Sequence, residues 1–189
     1  VRRITSAMLT RLRSIALVGV LVALPFDALA TLTAQPGARV TFNAAGPAGM
    51  KIVGTTSELA AADDGTNITV TVTLTHLTTS MDLRDKHMRE KYLEVQTYPT
   101  TVLTVPRSAL TIPAAGATQS GDAQGTLTLH GQTKPAQFHY SVVNNAGSYQ
   151  VDGTIHIKMG DFAMAVPTYA GLGVKPDVDV DVHFTTVDR

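Results

Sequence analysis

Apolar and polar residues alternate at every second position through most of this chain, and no other feature restricts its fold as much. Ile68, Val70, Val72 and Leu74 alternate with Asn67, Thr69, Thr71 and Thr73. Phe138, Tyr140 and Val142 alternate with Gln137, His139 and Ser141. Val151, Gly153, Ile155 and Ile157 alternate with Asp152, Thr154, His156 and Lys158. Val178, Val180, Val182 and Phe184 alternate with Asp177, Asp179, Asp181 and His183. Successive side chains of a strand face opposite sides, so each of these segments has one apolar and one wet face. Residues 39–44, 50–59, 101–105 and 125–130 are further strand candidates. Gly46-Pro47, Asp63-Asp64-Gly65, Asn144-Asn145-Ala146-Gly147 and Lys175-Pro176-Asp177 are turn signals between them. About eight strands at hairpin spacing predict an all-β, antiparallel barrel or sandwich. Residues 113–124 are small and polar and read as a mobile loop.

One segment departs from the pattern. Residues 82–94 (DLRDKHMREKYLE) hold eight Asp, Glu, Lys or Arg residues and no β-branched one. They predict a short helix laid on the β body, with Asp82 as its N-cap and Asp85 and Arg89 at ion-pair spacing.

The first thirty residues form a separate unit. Arg2, Arg3, Arg11 and Arg13 precede an apolar or glycine run, IALVGVLVAL, then Pro25 and the small-residue site Ala28-Leu29-Ala30. This is the layout of a secretory signal cleaved after Ala30, and the run is about half of what a bilayer span needs. Met8 would leave a normal short basic region, so two starts stay open: residues 1–7 are either part of the leader or an upstream extension. The expected product is one domain, 31–189, in the periplasm or secreted. Removing residues 1–30 takes away four arginines and Asp27, which leaves 11 basic and 14 acidic residues, net −3. That balance disfavours nucleic-acid binding. Cysteine is absent, which excludes disulfides, thiolate metal sites and thiol catalysis.

Catalytic and metal motifs are thin. His139, His156 and His183 share the polar faces of their strands, but their spacing matches no metal motif. His76, His87 and His130 read as structural or solvated. Ser80, Ser108 and Ser141 lack an activating context, and Gly171-Leu172-Gly173 is an isolated G-x-G. Asp177, Asp179 and Asp181 make a row along one strand face rather than a calcium loop. The expectation is no enzyme, no catalytic residue, no metal and no cofactor. An interior of this composition is either a packed core or a hollow for a hydrocarbon ligand.

Three stretches carry a family resemblance. Thr79-Ser80-Met81-Asp82-Leu83-Arg84-Asp85-Lys86-His87-Met88-Arg89, continuing to Tyr98-Pro99, resembles the T-G-x-x-L-R-D-x-H-[LM]-R…Y-P signature of the YceI-like family. Gly125-Thr126-Leu127-Thr128-Leu129-His130-Gly131-Gln132-Thr133-Lys134-Pro135 is similar to its G-x-L-T-I-H-G-V-T-K-P segment. Met159-Gly160-Asp161-Phe162 resembles its closing D-F-G-I region. Ser80 and Ala163 stand where that family has Gly.

The resemblance implies a lipocalin-like, eight-stranded antiparallel barrel that sequesters or carries a polyisoprenoid lipid, either an isoprenoid quinone or a prenyl alcohol or phosphate. It implies transport or storage linked to stress or quinone metabolism. A membrane quinone-using cytochrome is a partner by family analogy. The oligomeric state stays open, a dimer included. On this reading the bore is lined by Phe42, Ile52, Ile68, Val70, Val72, Leu74, Leu127, Leu129, Phe138, Tyr140, Val142, Ile155, Ile157, Phe162, Val180 and Phe184. Tyr140, Tyr169, Arg84, His87 and Arg89 are head-group candidates, although the charged helix residues serve equally to position the helix. Two alternatives stand beside it: a stress-related interaction module with a solid core, and an enzyme acting on a lipid.

Overall fold

The computed structural model describes residues 33–169 and 172–187, so the expected export signal lies outside the described residues. The strands are β1 (Thr33–Ala34), β2 (Arg39–Ala45), β3 (Lys51–Thr56), β4 (Leu59–Asp63), β5 (Asn67–Thr73), β6 (Thr100–Pro106), β7 (Thr118–Leu129), β8 (Gln132–Asn144), β9 (Ser148–Lys158), β10 (Thr168–Tyr169), β11 (Leu172–Gly173) and β12 (Asp177–Val187). The main sheet runs β3-β2-β12-β9-β8-β7-β6-β5-β4, with every neighbour antiparallel, and β1 pairs with the end of β12. β10 and β11 form a separate small ribbon.

The two ends of that path are one piece of chain. Only Ser57 and Glu58 separate β3 from β4, so one bent segment pairs with β2 over its first half and with β5 over its second. Beyond β5, the main chain of Thr78 exchanges hydrogen bonds with Thr55 at 2.8 and 3.0 Å. The result is a nearly closed barrel. The path holds nine strands where eight are expected because the break at Ser57-Glu58 divides this one segment.

Alternation sets which side chains enter the bore. Val182 of β12 faces Gly153 of β9, and Val180 faces Ile155, while Asp181 and Asp179 face Thr154 and His156 on the outside. His130 and Gly131, which join β7 to β8, both have positive φ (49° and 71°), the two-residue hairpin geometry that matches strand twist.

Two expectations are corrected. Residues 118–124 are strand, not loop: their pairing with β8 runs unbroken from Thr118↔Val143. Small polar side chains suit this stretch because β6 pairs with β7 only over Thr126–Thr128. Residues 107–113 pass beside that gap, held by Thr111 N–H donating to Tyr140 Oη (3.0 Å) and Asn144 Nδ2 donating to the Pro113 carbonyl (2.9 Å). The helix α1 (Asp82–His87) is capped by Met81 and not by Asp82, with no side-chain cap bond. It continues as a wider turn, Met88–Tyr92, in which Leu93 N–H donates to the Met88 carbonyl at 2.9 Å.

Candidate functional site

The barrel interior divides into two halves. The half beside α1 is filled. Val40, Val72, Leu74, Leu77, Val95, Leu127, Leu129, Phe162 and Met164 form one buried cluster, with Met88 and Leu93 packed against it. Asp85 fixes the helix there. Its carboxylate accepts from the Thr78 hydroxyl (2.5 Å), the Thr79 N–H (2.7 Å) and the Thr79 hydroxyl. Burial alone would raise the Asp85 pKa. The hydrogen bonds from Thr78 and Thr79, with the charge of Arg89, outweigh it and hold the carboxyl below its ordinary range. Arg84 Nε donates to the Thr79 hydroxyl (2.6 Å) and Nη2 to the Thr79 carbonyl (2.8 Å), while Arg89 Nη1 donates to the Leu77 carbonyl (3.0 Å). His130 packs on Tyr98, ring centroids 4.6 Å apart, and its Nδ1 donates to the Phe162 carbonyl at 3.1 Å. Residues from all three resembling stretches thus meet at this closed end.

The other half is hollow. A cavity of 710 Å³ lies among Ile68, Val70, Leu103, Val105, Leu110, Ile112, Phe138, Tyr140, Val142, Tyr149, Val151, Ile155, Val182 and Phe184. Its size falls within the roughly 300–1,000 Å³ of small-molecule sites. Its mouth lies at the exposed turn residues Asp64, Gly65 and Thr66 and at Arg107 and Ile112. There Arg107 pairs with the buried carboxylate of Asp63, which also accepts from Gly65 N–H at 2.9 Å. Asp64 accepts from the N–H groups of Asn67 (2.6 Å) and Thr66 (2.8 Å). Those two bonds, Asn67 first, lower its pKa. Thr186 also lines the cavity, and its buried hydroxyl has no hydrogen-bond partner among the described residues.

The expected lining residues separate between the halves. Ile68, Val70, Phe138, Tyr140, Val142, Ile155 and Phe184 line the cavity. Val72, Leu74, Leu127, Leu129 and Phe162 belong to the packed cluster, with Phe42, Ile157 and Val180 against it. Ile52 is half-buried and in neither group. Arg84, His87 and Arg89 lie on the helix over the filled half, away from the cavity. The Tyr169 side chain lies outside the described residues. Alternation could have supplied Val151 and Val182, which share the inner faces already recognised. Leu110 and Ile112 carry no pattern and enter only because residues 107–113 wall the gap between β6 and β7.

Outside the barrel the expected polar faces carry histidine–aspartate pairs. His139 Nδ1 lies 2.9 Å from Asp122, His183 Nδ1 2.6 Å from Asp152, and His156 2.7 Å from Asp179 and 3.2 Å from Asp177. Asp179, then Asp177, raises the His156 pKa above its ordinary value. Among the described residues, no three His, Asp or Glu side chains group as a metal site would require.

An antiparallel barrel with one end capped by a short helix and an apolar cavity at the other defines a class of protein, the small-ligand barrels. The model of the YceI-like domain matches residues 34–186, and the chain belongs to that family. Solved structures share the fold at low identity. A Saccharophagus degradans domain, described as polyisoprenoid-binding and implicated in plant cell wall breakdown, aligns with TM-score 0.72 and 20% identity over 86% of this chain and 100% of that one. Burkholderia cenocepacia BcnA aligns with TM-score 0.63 and 16% identity over 78% and 95%. The Campylobacter jejuni YCEI protein aligns with TM-score 0.54 and 18% identity over 73% and 85%. No curated protein matches the sequence.

Proposed function

We propose that this chain is an exported binding protein that holds a polyisoprenoid lipid, a quinone or a prenyl alcohol or phosphate, inside its barrel. The observation that carries the reading is the 710 Å³ cavity, walled by side chains such as Val70, Val142, Val151 and Phe184. An unfilled apolar hollow leaves its wall atoms without contacts on one side, so a packed core would be the more stable use of the same residues. A hydrocarbon chain supplies the missing contacts and gains about 0.8 kcal/mol gross for each methylene withdrawn from water. The polyisoprenoid-binding description of the Saccharophagus degradans domain supports the choice of hydrocarbon. Export rests on the signal pattern of residues 1–30. The solid-core alternative requires a bore closed throughout, and among the described residues the half away from α1 is unfilled.

The test is mass spectrometry of organic extracts of protein purified from its native host, with lipid titration of the stripped protein. The expected result is a stoichiometric isoprenoid lipid that rebinds. Protein that arrives empty and takes up neither quinone nor prenol would overturn the reading.

A further inference from the structure

We infer that the cavity limits its ligand to a tail of about four isoprene units with an uncharged head, held tail-first from the turn end; this rests on the lipid-binding reading above. The limit comes from a floor. Leu103, Ile155 and Val182 line the cavity and also pack against the buried cluster that contains Phe162 and Met164. Beyond them the bore is occupied by the protein's own side chains, so a tail has nowhere to continue. Along β9 the wall runs from Tyr149 to Ile155, about 20 Å of strand at ~3.3 Å per residue. For strands tilted about 40° this is a depth of ~15 Å along the barrel axis. Cavities of roughly 300–1,000 Å³ enclose ligands of drug size, and 710 Å³ falls within that range. Four isoprene units, about twenty carbons, with a small head make a molecule of that size. A tail twice that length leaves half its carbons in water.

Charge at the mouth selects the head. Among the described lining residues the only cation is Arg107, and its guanidinium is already paired with Asp63. Asp64 adds a second carboxylate beside it. A phosphate or diphosphate entering here meets no free cation and an excess of negative charge. A hydroxyl or carbonyl head meets no such penalty.

Transfer of prenols from phosphatidylcholine vesicles to the protein tests both parts, because every carbon that leaves the bilayer must be reburied. Farnesol, geranylgeraniol, solanesol (forty-five carbons) and geranylgeranyl diphosphate are the probes. Farnesol and geranylgeraniol are expected to transfer, with solanesol and the diphosphate at least tenfold less. Two variants move the floor in opposite directions. Ile155→Ala deepens the cavity and is expected to raise transfer of prenols longer than geranylgeraniol. Gly153→Leu fills it and is expected to abolish geranylgeraniol transfer without unfolding. A Cβ at Gly153 meets only the His139 carbonyl oxygen, at 3.8 Å. Solanesol transfer equal to that of geranylgeraniol overturns the length limit and leaves lipid binding intact. Diphosphate transfer equal to that of the alcohol overturns the uncharged head. Failure of every probe, with Gly153→Leu unchanged from the parent, overturns the lipid-binding reading itself.

Discussion

The closed half and the hollow half of this barrel are lined by the same kinds of residue. Val40, Val72, Leu127 and Leu129 surround one, and Val70, Leu103, Val142 and Val151 surround the other. The difference is what is placed inside. The closed half receives Leu77, Val95, Phe162 and Met164, with Met88 and Leu93, from segments that are not barrel strands. Among the described residues, the hollow half receives Leu110 and Ile112 at its rim and nothing at its centre. Strand alternation therefore builds a tube, and whether the tube is a core or a container is decided by the connections. Interior packing is normally dense, so an empty half has to be actively left empty.

The sharpest way to break this comparison is to make matched truncations in each half. Leu129→Ala opens a void inside the buried cluster and is expected to cost about 3 kcal/mol. Ile68→Ala enlarges a space that already exists, and its half-buried side chain has fewer contacts to lose. Its expected cost is about 1 kcal/mol, because little close packing is removed. Urea denaturation of the ligand-free protein measures both. Equal costs would mean that the open half collapses in solution and is no container.

A second contrast concerns how the cap is held. Asp85→Asn removes a charge that accepts three hydrogen bonds from Thr78 and Thr79. The expected loss is about 2 kcal/mol near neutral pH, since bonds to a charged acceptor are the stronger class. The sign of its pH dependence follows from the direction of the shift. The folded pKa lies below the unfolded value of 3.8, so the stabilisation is complete above that value and is lost as pH falls through the folded pKa. Parent and variant stabilities should therefore converge in acid. Lipid uptake at the opposite end should survive the substitution. A variant that loses uptake in proportion to cap stability would show that the two halves are coupled.

The sequence made the tube and the cap legible and left the cavity out of sight, for physical reasons. Period-two runs such as Val178 to Phe184 announce a strand and its inner face wherever they occur. Thr79, Asp85, Tyr98, His130 and Phe162 are recognisable because each is tied to one partner geometry: Thr79 donates to the Asp85 carboxylate, the Tyr98 ring packs on His130, and His130 donates to the Phe162 carbonyl. These distinctive residues build the closed end and not the container. Ile68 and Leu74 look alike along β5 and its extension, and only the arrival of Phe162 and Met164 from a distant segment makes one neighbourhood a core. Residues 118–124 were unreadable as strand because Gln119, Ser120, Gly121 and Asp122 pack against no core. Their pairing is dictated by the hairpin at His130-Gly131 and the length of β8. The nine strands in place of eight likewise reflect a local event at Ser57-Glu58 that no periodicity marks.

The smallest effect tests whether the cap carries strain of its own. Ser80 (φ 62°) and Ala163 (φ 54°) occupy left-handed backbone at the closed end, where the resembling motifs hold glycine. Ala146 (φ 54°) does so in the β8–β9 turn, away from the helix. A side chain in that region costs roughly 1–2 kcal/mol, and glycine removes the cost while adding ~0.5–1 kcal/mol of unfolded-chain entropy. Ser80→Gly, Ala163→Gly and Ala146→Gly are each expected to gain about 0.5 kcal/mol of unfolding free energy, measured by urea denaturation. Equal gains mean that the strain is a property of each turn alone. A larger gain at Ala163 alone would mean that seating Phe162 and Met164 in the bore strains the adjoining chain, and that the plug which sets the cavity floor is held at a local cost.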